Sequence, residues 1–213
     1  MIALQGFSCY TDFGLFKDQG GSTVIDKETL RQNLLQWEEL LSHYSLPAWN
    51  AFPALPLYMD QVVFLLNQYL NLLPEQAGEK QVTPAMINNY VKLKIIPPPV
   101  KKRYNRIHLA YLVIVCVCKQ TLTTGDIKKL MPLSLSEDDV QCVYEDFVAA
   151  FREIQVYFRQ EVRKAVQPVF SSDEPVTHLL FRTAAAANLT TLLTEEILRL
   201  DERKTLPEEK QKE

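Results

Sequence analysis

Glycine is scarce in this chain, with six residues among 213, and four of these six lie before residue 25. Folds made of many short strands need abundant turn residues, so this scarcity argues against sandwiches and barrels and favours helices. Apolar runs are also short: the longest, 109–117, falls well below the roughly 18–20 residues that span a bilayer. No basic segment typical of a secretory signal precedes an apolar one near residue 1. We therefore expect a soluble, cytoplasmic, mainly all-α protein with no membrane contact.

Metal-ligating residues are few and scattered. The three histidines do not cluster, and the four cysteines, Cys9, Cys116, Cys118 and Cys142, form no CxxC pair. A zinc site needs ligands at short, fixed spacing, and on a helix Cys116 and Cys118 would point roughly 200° apart. We expect no metal and no cofactor, and we interpret the cysteines as buried free thiols in a reducing compartment.

Catalytic motifs are not found either. The segment Gly20–Ser22 lacks the lysine and the following helix pattern of a phosphate-binding loop. Glu145, Glu153 and Glu161 lie along one predicted helix, where a polar face is a more ordinary interpretation than a pair of catalytic carboxylates. The sequence therefore favours a protein that is not an enzyme.

Apolar residues recur at helical spacing along most of the chain. Thr83 followed by Pro84 is a strong helix-start signal, since threonine caps and proline suits the first turn. The Val- and Ile-rich run 112–117 has strand propensity, but its length and flanks favour a buried helix. The predicted helices are 27–44 (capped by Asp26), 58–73, 84–93, 107–119, 126–131 (capped by Thr124 or Gly125), 137–166 (capped by Ser136) and 177–200.

Proline-rich segments divide these helices into three regions. Residues 1–57 form an N-terminal extension with one helix and an apolar, proline-broken connector that we expect to pack on the next region. Residues 58–131 form a small helical module. Residues 132–213 form a long helical hairpin, with a turn at 167–176, followed by a charged tail.

Acidic residues are missing from Lys80 to Gly125, a segment of 46 residues that holds eight lysines and arginines. The segment carries +8 while the whole chain carries −3, so the remainder carries −11. A basic face of this kind attracts a polyanion such as DNA. The alternative is a solvated patch that pairs with the acidic helices of the same chain, and charge alone does not decide between the two.

Several short motifs resemble the winged helix-turn-helix of MerR-type regulators. Val82-Thr83 resembles the start of that family's recognition helix, and Ile95-Ile96-Pro97-Pro98 resembles the step into its wing. Lys102-Arg103-Tyr104 is similar to the return strand of the wing, and the segment 121–127 matches a later helix start in register. The sequence departs from this family where Asn88 replaces a common arginine and where the wing is shorter and proline-rich.

The motifs Tyr58–Gln61 and Thr83–Tyr90 more closely resemble a bacterial domain-of-unknown-function family, numbered 1836, which is usually grouped with MerR-like domains. This resemblance covers most of residues 50–165. It implies a fold and no established activity.

The MerR-like resemblance implies a transcriptional regulator that binds double-stranded DNA. Asn88 and Asn89 would then read bases from the major groove, since asparagine suits the edge of adenine. The long helix after the module implies a homodimer, which most regulators of this kind use to read palindromes. The alternative is a non-enzymatic protein-interaction module that keeps the fold without DNA binding. The residues implied as phosphate contacts are Thr83, Lys92, Lys94, Lys101, Lys102, Arg103 and Arg106.

Overall fold

A computed structural model describes residues 27–71, 82–171 and 176–205. Within these residues the chain forms seven α-helices and one short 3-10 helix, and its only strand pairing consists of two isolated bridges. The predicted all-α fold is therefore confirmed. The helices are α1 (Lys27–His43), α2 (Met59–Tyr69), α3 (Pro84–Lys92), α4 (Arg106–Cys118), α5 (Thr124–Leu130), α6 (Glu137–Ser171) and α7 (Val176–Thr205), with the 3-10 helix at Trp49–Ala51.

Most predicted helix boundaries are confirmed to within a few residues, but three predictions were wrong. The helix α6 continues to Ser171, so residues 167–171 are not a turn. Pro168 lies in the last turn of this helix, where it interrupts little because few backbone hydrogen bonds remain beyond it. The cap of α5 is Thr123 rather than Thr124 or Gly125, because the Thr123 side chain accepts from the Asp126 amide. The helix α2 ends at Tyr69 rather than at residue 73. The predicted cap at Asp26 lies outside the described residues.

The helix α4 forms the centre of the core. Every residue from His108 to Cys116 is buried, so this helix contacts other elements on all sides. The expectation of a buried helix rather than a strand is confirmed. A helix that is apolar all round is stable only when it is enclosed, and here α2 and α6 pack against it. The buried cluster extends from Leu46 to Tyr144, and it therefore joins parts of all three predicted regions.

The proline-rich connector packs into this core, as its apolar composition predicts. Trp49 and Phe52 are buried, and the ring of Phe52 lies 5.0 Å from that of Tyr144 on α6. The Tyr144 hydroxyl donates to the Pro47 carbonyl at 2.7 Å. Burial of side chains of this size contributes roughly 1.5–3 kcal/mol each, so the connector is a structural part of the fold and not a free linker.

A separate set of contacts fixes α1 against the second half of α6. The Glu38 carboxylate is buried and lies 2.7 Å from the Arg163 guanidinium and 3.4 Å from that of Arg159. Hydrogen bonding with Arg163 lowers the pKa of Glu38 below its usual value. The Gln155 amide donates to the carbonyls of Leu41 and Tyr44, at the C-terminal end of α1. Polar groups on both helices thus determine where α1 lies.

The distal helices leave a large apolar surface exposed. In α7, only Leu179 among the large apolar side chains whose burial is described is fully buried, while Phe181, Leu189 and Leu193 are each at least 60% exposed. None of the described helices is both long enough and apolar enough to cross a membrane. Most of the apolar surface of α7 thus stays exposed within the described part of the chain.

Candidate nucleic-acid interface

The helix α3 presents a polar face to solvent. Thr83 caps the helix by accepting from the Met86 amide, and Pro84 occupies the first turn, as predicted. Ile87 and Tyr90 are buried against the core. Since residues three and four apart share a face of a helix, the opposite face carries the exposed residues Ala85, Asn88, Asn89 and Lys92. Both predicted base-contact residues thus lie on the exposed face of a capped helix.

The end of α3 is closed by a lysine in a conformation that usually requires glycine. The Ile95 amide donates to the Tyr90 carbonyl at 2.9 Å, and the Lys94 amide donates to the Val91 carbonyl at 3.0 Å. These two bonds define a Schellman motif, whose residue after the cap is left-handed and is usually glycine. Here that residue is Lys94, with φ of 55°. Its side chain is exposed beside the negative end of the helix dipole, where a cation is favourable.

The segment predicted to be the wing, residues 98–104 and called the wing below, forms a minimal hairpin with two lysines at its tip. Val100 and Arg103 exchange both backbone hydrogen bonds at 3.0 Å, so Lys101 and Lys102 form a two-residue turn. Their φ values are 51° and 62°. Positive φ at both central residues is typical of a type I′ turn, which strongly prefers Asn-Gly. Both lysine side chains are exposed, so the turn presents two positive charges to solvent.

A second bridge connects the wing to the start of α2. Leu57 and Tyr104 pair in antiparallel fashion, with backbone hydrogen bonds of 2.8 and 2.9 Å. The Arg103 guanidinium lies over the Tyr58 ring, 4.9 Å from its centroid, and donates to the Tyr58 hydroxyl at 2.9 Å. Arg103 is exposed, yet its side chain is oriented by this contact.

Besides Arg103, two of the predicted phosphate contacts have structural partners. The Arg106 Nε donates to the Phe52 carbonyl at 3.1 Å, and the residue is half-buried. The Thr83 hydroxyl is engaged as the helix cap. These two side chains stabilise the local backbone, whereas Lys92, Lys94, Lys101 and Lys102 project freely from it.

His108, on α4, is hydrogen-bonded to Pro98 at the start of the wing. A carbonyl only accepts, so Nε2 carries a proton and donates to the Pro98 carbonyl at 3.1 Å, while Nδ1 lies 3.1 Å from the Asn105 amide and 2.5 Å from the Asn105 Oδ1. Burial lowers the pKa of His108, which keeps the ring neutral and this pattern of bonds intact. The sequence pattern alone gives no sign of the bond between His108 and Pro98.

Asn67 fixes α3 relative to α2, and sequence reasoning missed it. Its amide nitrogen donates to the carbonyls of Val63 and Val82, at 2.7 and 3.0 Å, and its oxygen accepts from the Val82 amide at 3.1 Å. The side chain therefore holds both backbone groups of the residue that precedes the cap of α3. The only available signal was a polar residue among the apolar positions of α2.

The described basic residues of the acid-free segment do not pair with carboxylates. The described ion pairs lie in or between α1, α5, α6 and α7, and none includes Lys92, Lys94, Lys101, Lys102 or Arg103. Neither Arg106 nor Lys119 takes part in these pairs. The alternative of a patch neutralised by acidic helices therefore finds no support in the described part of the chain.

The described cysteines lie apart from this surface. Cys116 is buried, and desolvation raises its pKa to about 12, while Cys118 is partly buried with a pKa raised to about 11. Cys142 is exposed, so the expectation of burial was wrong for this residue. Its position on the solvent side of α6 explains the difference. Cys9 lies outside the described residues. Among those described, no group of three potential metal ligands comes together.

Part of the chain matches a known protein-family model. Residues 47–147 match the family model described as Domain of unknown function (DUF1836). The match supports the family predicted from Tyr58–Gln61 and Thr83–Tyr90. The segment similar to DUF1836 includes α2 to α5, the wing and the first turns of α6. Neither the curated proteins nor the solved structures contain a match to this chain.

Proposed function

We propose that this protein is a cytoplasmic, DNA-binding transcriptional regulator of MerR-like type. In this proposal, α3 enters the major groove and the wing lies on the flanking backbone. Asn88 and Asn89 contact bases, because asparagine can bond both the N6 and N7 groups of adenine. Phosphate contacts come first from Lys92, Lys94, Lys101 and Lys102, with Arg103 oriented by Tyr58.

One observation carries the proposal: three lysines occupy left-handed backbone positions. Lys94, Lys101 and Lys102 are the only non-glycine residues with positive φ among the described residues. This conformation costs about 1–2 kcal/mol for a residue with a Cβ, and glycine or asparagine would relieve the strain. Strain of this kind is found mainly at functional sites. A requirement for positive charge at these three points accounts for all of them.

A homodimer through α6 and α7 belongs to the same proposal. It is supported by the exposed apolar side chains of these helices, because monomers rarely leave large contiguous apolar patches in solvent. The same exposed surface is also the observation that favours the second candidate, a protein-interaction module without DNA binding.

The test is fluorescence anisotropy of a labelled random-sequence duplex, titrated at several salt concentrations. The native protein should bind at low salt, and its affinity should fall linearly with salt on logarithmic axes. The variant Lys101→Asn with Lys102→Gly replaces the two lysines by the pair that type I′ turns prefer. It should bind all sequences more weakly and reduce the slope by about 2.

Two controls make the result interpretable. The wing variant should unfold at a higher temperature than the native protein, so weaker binding cannot be ascribed to loss of fold. The variant Arg31→Ala with Lys164→Ala removes the same charge from α1 and distal α6, and it should bind as the native protein does.

Once a specific DNA site is selected, Asn88→Ala should reduce the difference between the affinity for that site and the affinity for random DNA. No native binding at about 50 mM salt would exclude the regulator and favour the interaction module.

A further inference from the structure

The helix α7 carries apolar residues on two opposite faces. One face carries Val176, Leu179 and Leu198, which are partly or fully buried, beside the exposed Leu180 and Ile197. The opposite face carries Phe181, Leu189 and Leu192, which are 60%, 66% and 52% exposed. A helix that is apolar all round is normally enclosed by protein. The outer face of α7 therefore lacks a covering element within the described part of the chain.

A groove of matching character runs along α6. Its volume is about 710 Å³, and it lies between the 3-10 helix and the α6 residues 144–156. Ala48, Val148, Ala149 and Val156 contribute its apolar wall, and its charged lining residues are Glu145, Arg152 and Glu153. A groove with an apolar wall and a charged rim suits an amphipathic helix, which inserts its apolar face and pairs its flanking charges.

The groove and the Leu192 end of the outer face of α7 lie at the same level of the helical hairpin. The helices α6 and α7 contact each other and are joined by the short segment 172–175, so they run antiparallel. Counting from this connection, Arg152 and Glu195 occupy equivalent positions, as do Phe158 and Leu189. A two-fold axis that crosses the hairpin at this level would bring α7 of one copy beside the groove of the other.

One pair of opposite charges, Arg152 and Glu195, lies at this level of the hairpin. Neither Arg152 nor Glu195 has an ion-pair partner among the described residues. Glu195 lies three residues after Leu192, so the two side chains are neighbours on the outer side of α7. Leu192 in the groove would place Glu195 close to the rim that carries Arg152.

We propose that a second copy of this chain seats the outer face of its α7 in this groove, and that the contact is reciprocal. Such a contact is closed under two-fold symmetry, which is the commonest arrangement in soluble oligomers. Two reciprocal helix-in-groove contacts provide the scale of a stable interface, roughly 800 Å² per partner. The inference rests on the homodimer of the proposed function and specifies its interface.

Sedimentation equilibrium of the intact protein, without DNA, tests the interface. The native chain should have twice the mass of one chain, whereas Ala149→Arg in the groove and Leu192→Glu on α7 should each have the mass of one chain. Leu133→Glu is the matched control, because Leu133 is 41% exposed and lies outside both surfaces. It should leave the dimer intact. Circular dichroism should show equal helix content in all variants.

A charge exchange identifies the contact itself. Arg152→Glu and Glu195→Arg should each raise the dissociation constant of the dimer by at least about fivefold, and the double variant should recover most of the loss. A native monomer, a dimer that persists in Ala149→Arg, or a double variant without recovery would overturn the inference. A native monomer that still binds the random duplex would overturn this interface but would not contradict the proposed DNA binding.

Discussion

Three lysines adopt a left-handed backbone conformation that costs free energy, and each of them exposes a positive charge that suits an anionic ligand. Lys94 terminates α3 with φ of 55° in a motif that glycine fills at lower cost. Its charge is exposed, and it has no ion pair among the described residues. If the positive charge is the reason for lysine at this strained position, its replacement should weaken binding without impairing folding.

Lys94→Gly should therefore make the protein more stable and a weaker DNA binder. Relief of the left-handed strain, less the greater chain entropy of glycine, should raise the free energy of unfolding by about 0.5–1 kcal/mol. Urea titration measures the stability, and anisotropy with the random duplex measures the binding, whose salt slope should fall by about 1. Lys92→Ala is the control, since it removes the same charge from ordinary helix and should change stability by less than about 0.5 kcal/mol. Unchanged binding by Lys94→Gly would remove this lysine from the interface.

The sequence allows the charge of these lysines to be predicted but not their conformation. The acid-free segment identifies the basic residues from composition alone. Their positive φ values arise from the buried neighbours Tyr90 and Ile95 and from the bridge between Val100 and Arg103, which require the folded chain. A turn of two lysines resembles none of the turn sequences that pattern recognises, so the hairpin could not be foreseen from Lys101 and Lys102.

At the scale of elements, Asn67 connects two helices that the sequence separates by a proline-containing polar segment. Two of its three hydrogen bonds hold Val82, which is fully buried, just before α3 begins, and the third goes to the Val63 carbonyl within α2. The backbone groups of Val82 then have partners despite their burial, as buried polar groups require. The angle between α2 and α3 therefore depends on one amide side chain.

Asn67→Ala should destabilise the protein by about 2–3 kcal/mol, since each lost hydrogen bond contributes about 1 kcal/mol. Thermal unfolding measures the loss, and hydrogen exchange at the Val82 amide should accelerate. Asn67→Asp keeps the acceptor for that amide but places a carboxylate oxygen against the carbonyls of Val63 and Val82, so it should be at least as unstable as Asn67→Ala. Asn88→Ala, on the exposed face of α3, should leave the melting temperature unchanged. Equal stability of Asn67→Ala and the native protein would show that the hydrogen bonds of Asn67 contribute nothing to stability.

The elements themselves are largely predictable, because their signals are local. The threonine and proline at the start of α3 and the serine cap of α6 are read directly from neighbouring residues. Run length and flanks correctly identify α4 as a helix. The end of α6 was missed because Pro168 is normally a stop signal, and its tolerance within the last helical turn depends on position rather than on residue type.

For the whole molecule, the long-range polar contacts decide where the N-terminal helix lies. Glu38 and Arg163 are far apart in the chain, and no periodicity in either helix predicts that they meet. The carboxylate is buried, while the two arginines are 32% and 68% exposed. The helix α1 packs against α6, whereas the basic surface belongs to α3 and the wing. Substitutions in α1 therefore change neither α3 nor the wing directly.

Glu38→Gln should release α1 while the core stays folded. Loss of the charge weakens the docking of α1 by about 1–2 kcal/mol, a moderate cost because the partly exposed arginines regain water. In native protein the pKa of Glu38 is lowered on folding, so the contribution is present above the ordinary value of 4.5 and is lost as pH falls through the folded value. Trp37 reports the event, because its ring lies 6.3 Å from Phe158 on α6.

The measurement is a pH titration of Trp37 fluorescence in a Trp49→Phe background, where Trp37 is the only tryptophan. The native carboxylate should give a transition below pH 4.5, at the lowered pKa of Glu38. Glu38→Gln should show the released signal already at neutral pH and no such transition, while far-ultraviolet dichroism of the remaining helices persists. The exposed neighbour Glu39→Gln should follow the native curve. Identical curves for Glu38→Gln and the native protein would mean that apolar contacts such as Trp37 with Phe158 hold α1 in place without the ion pairs.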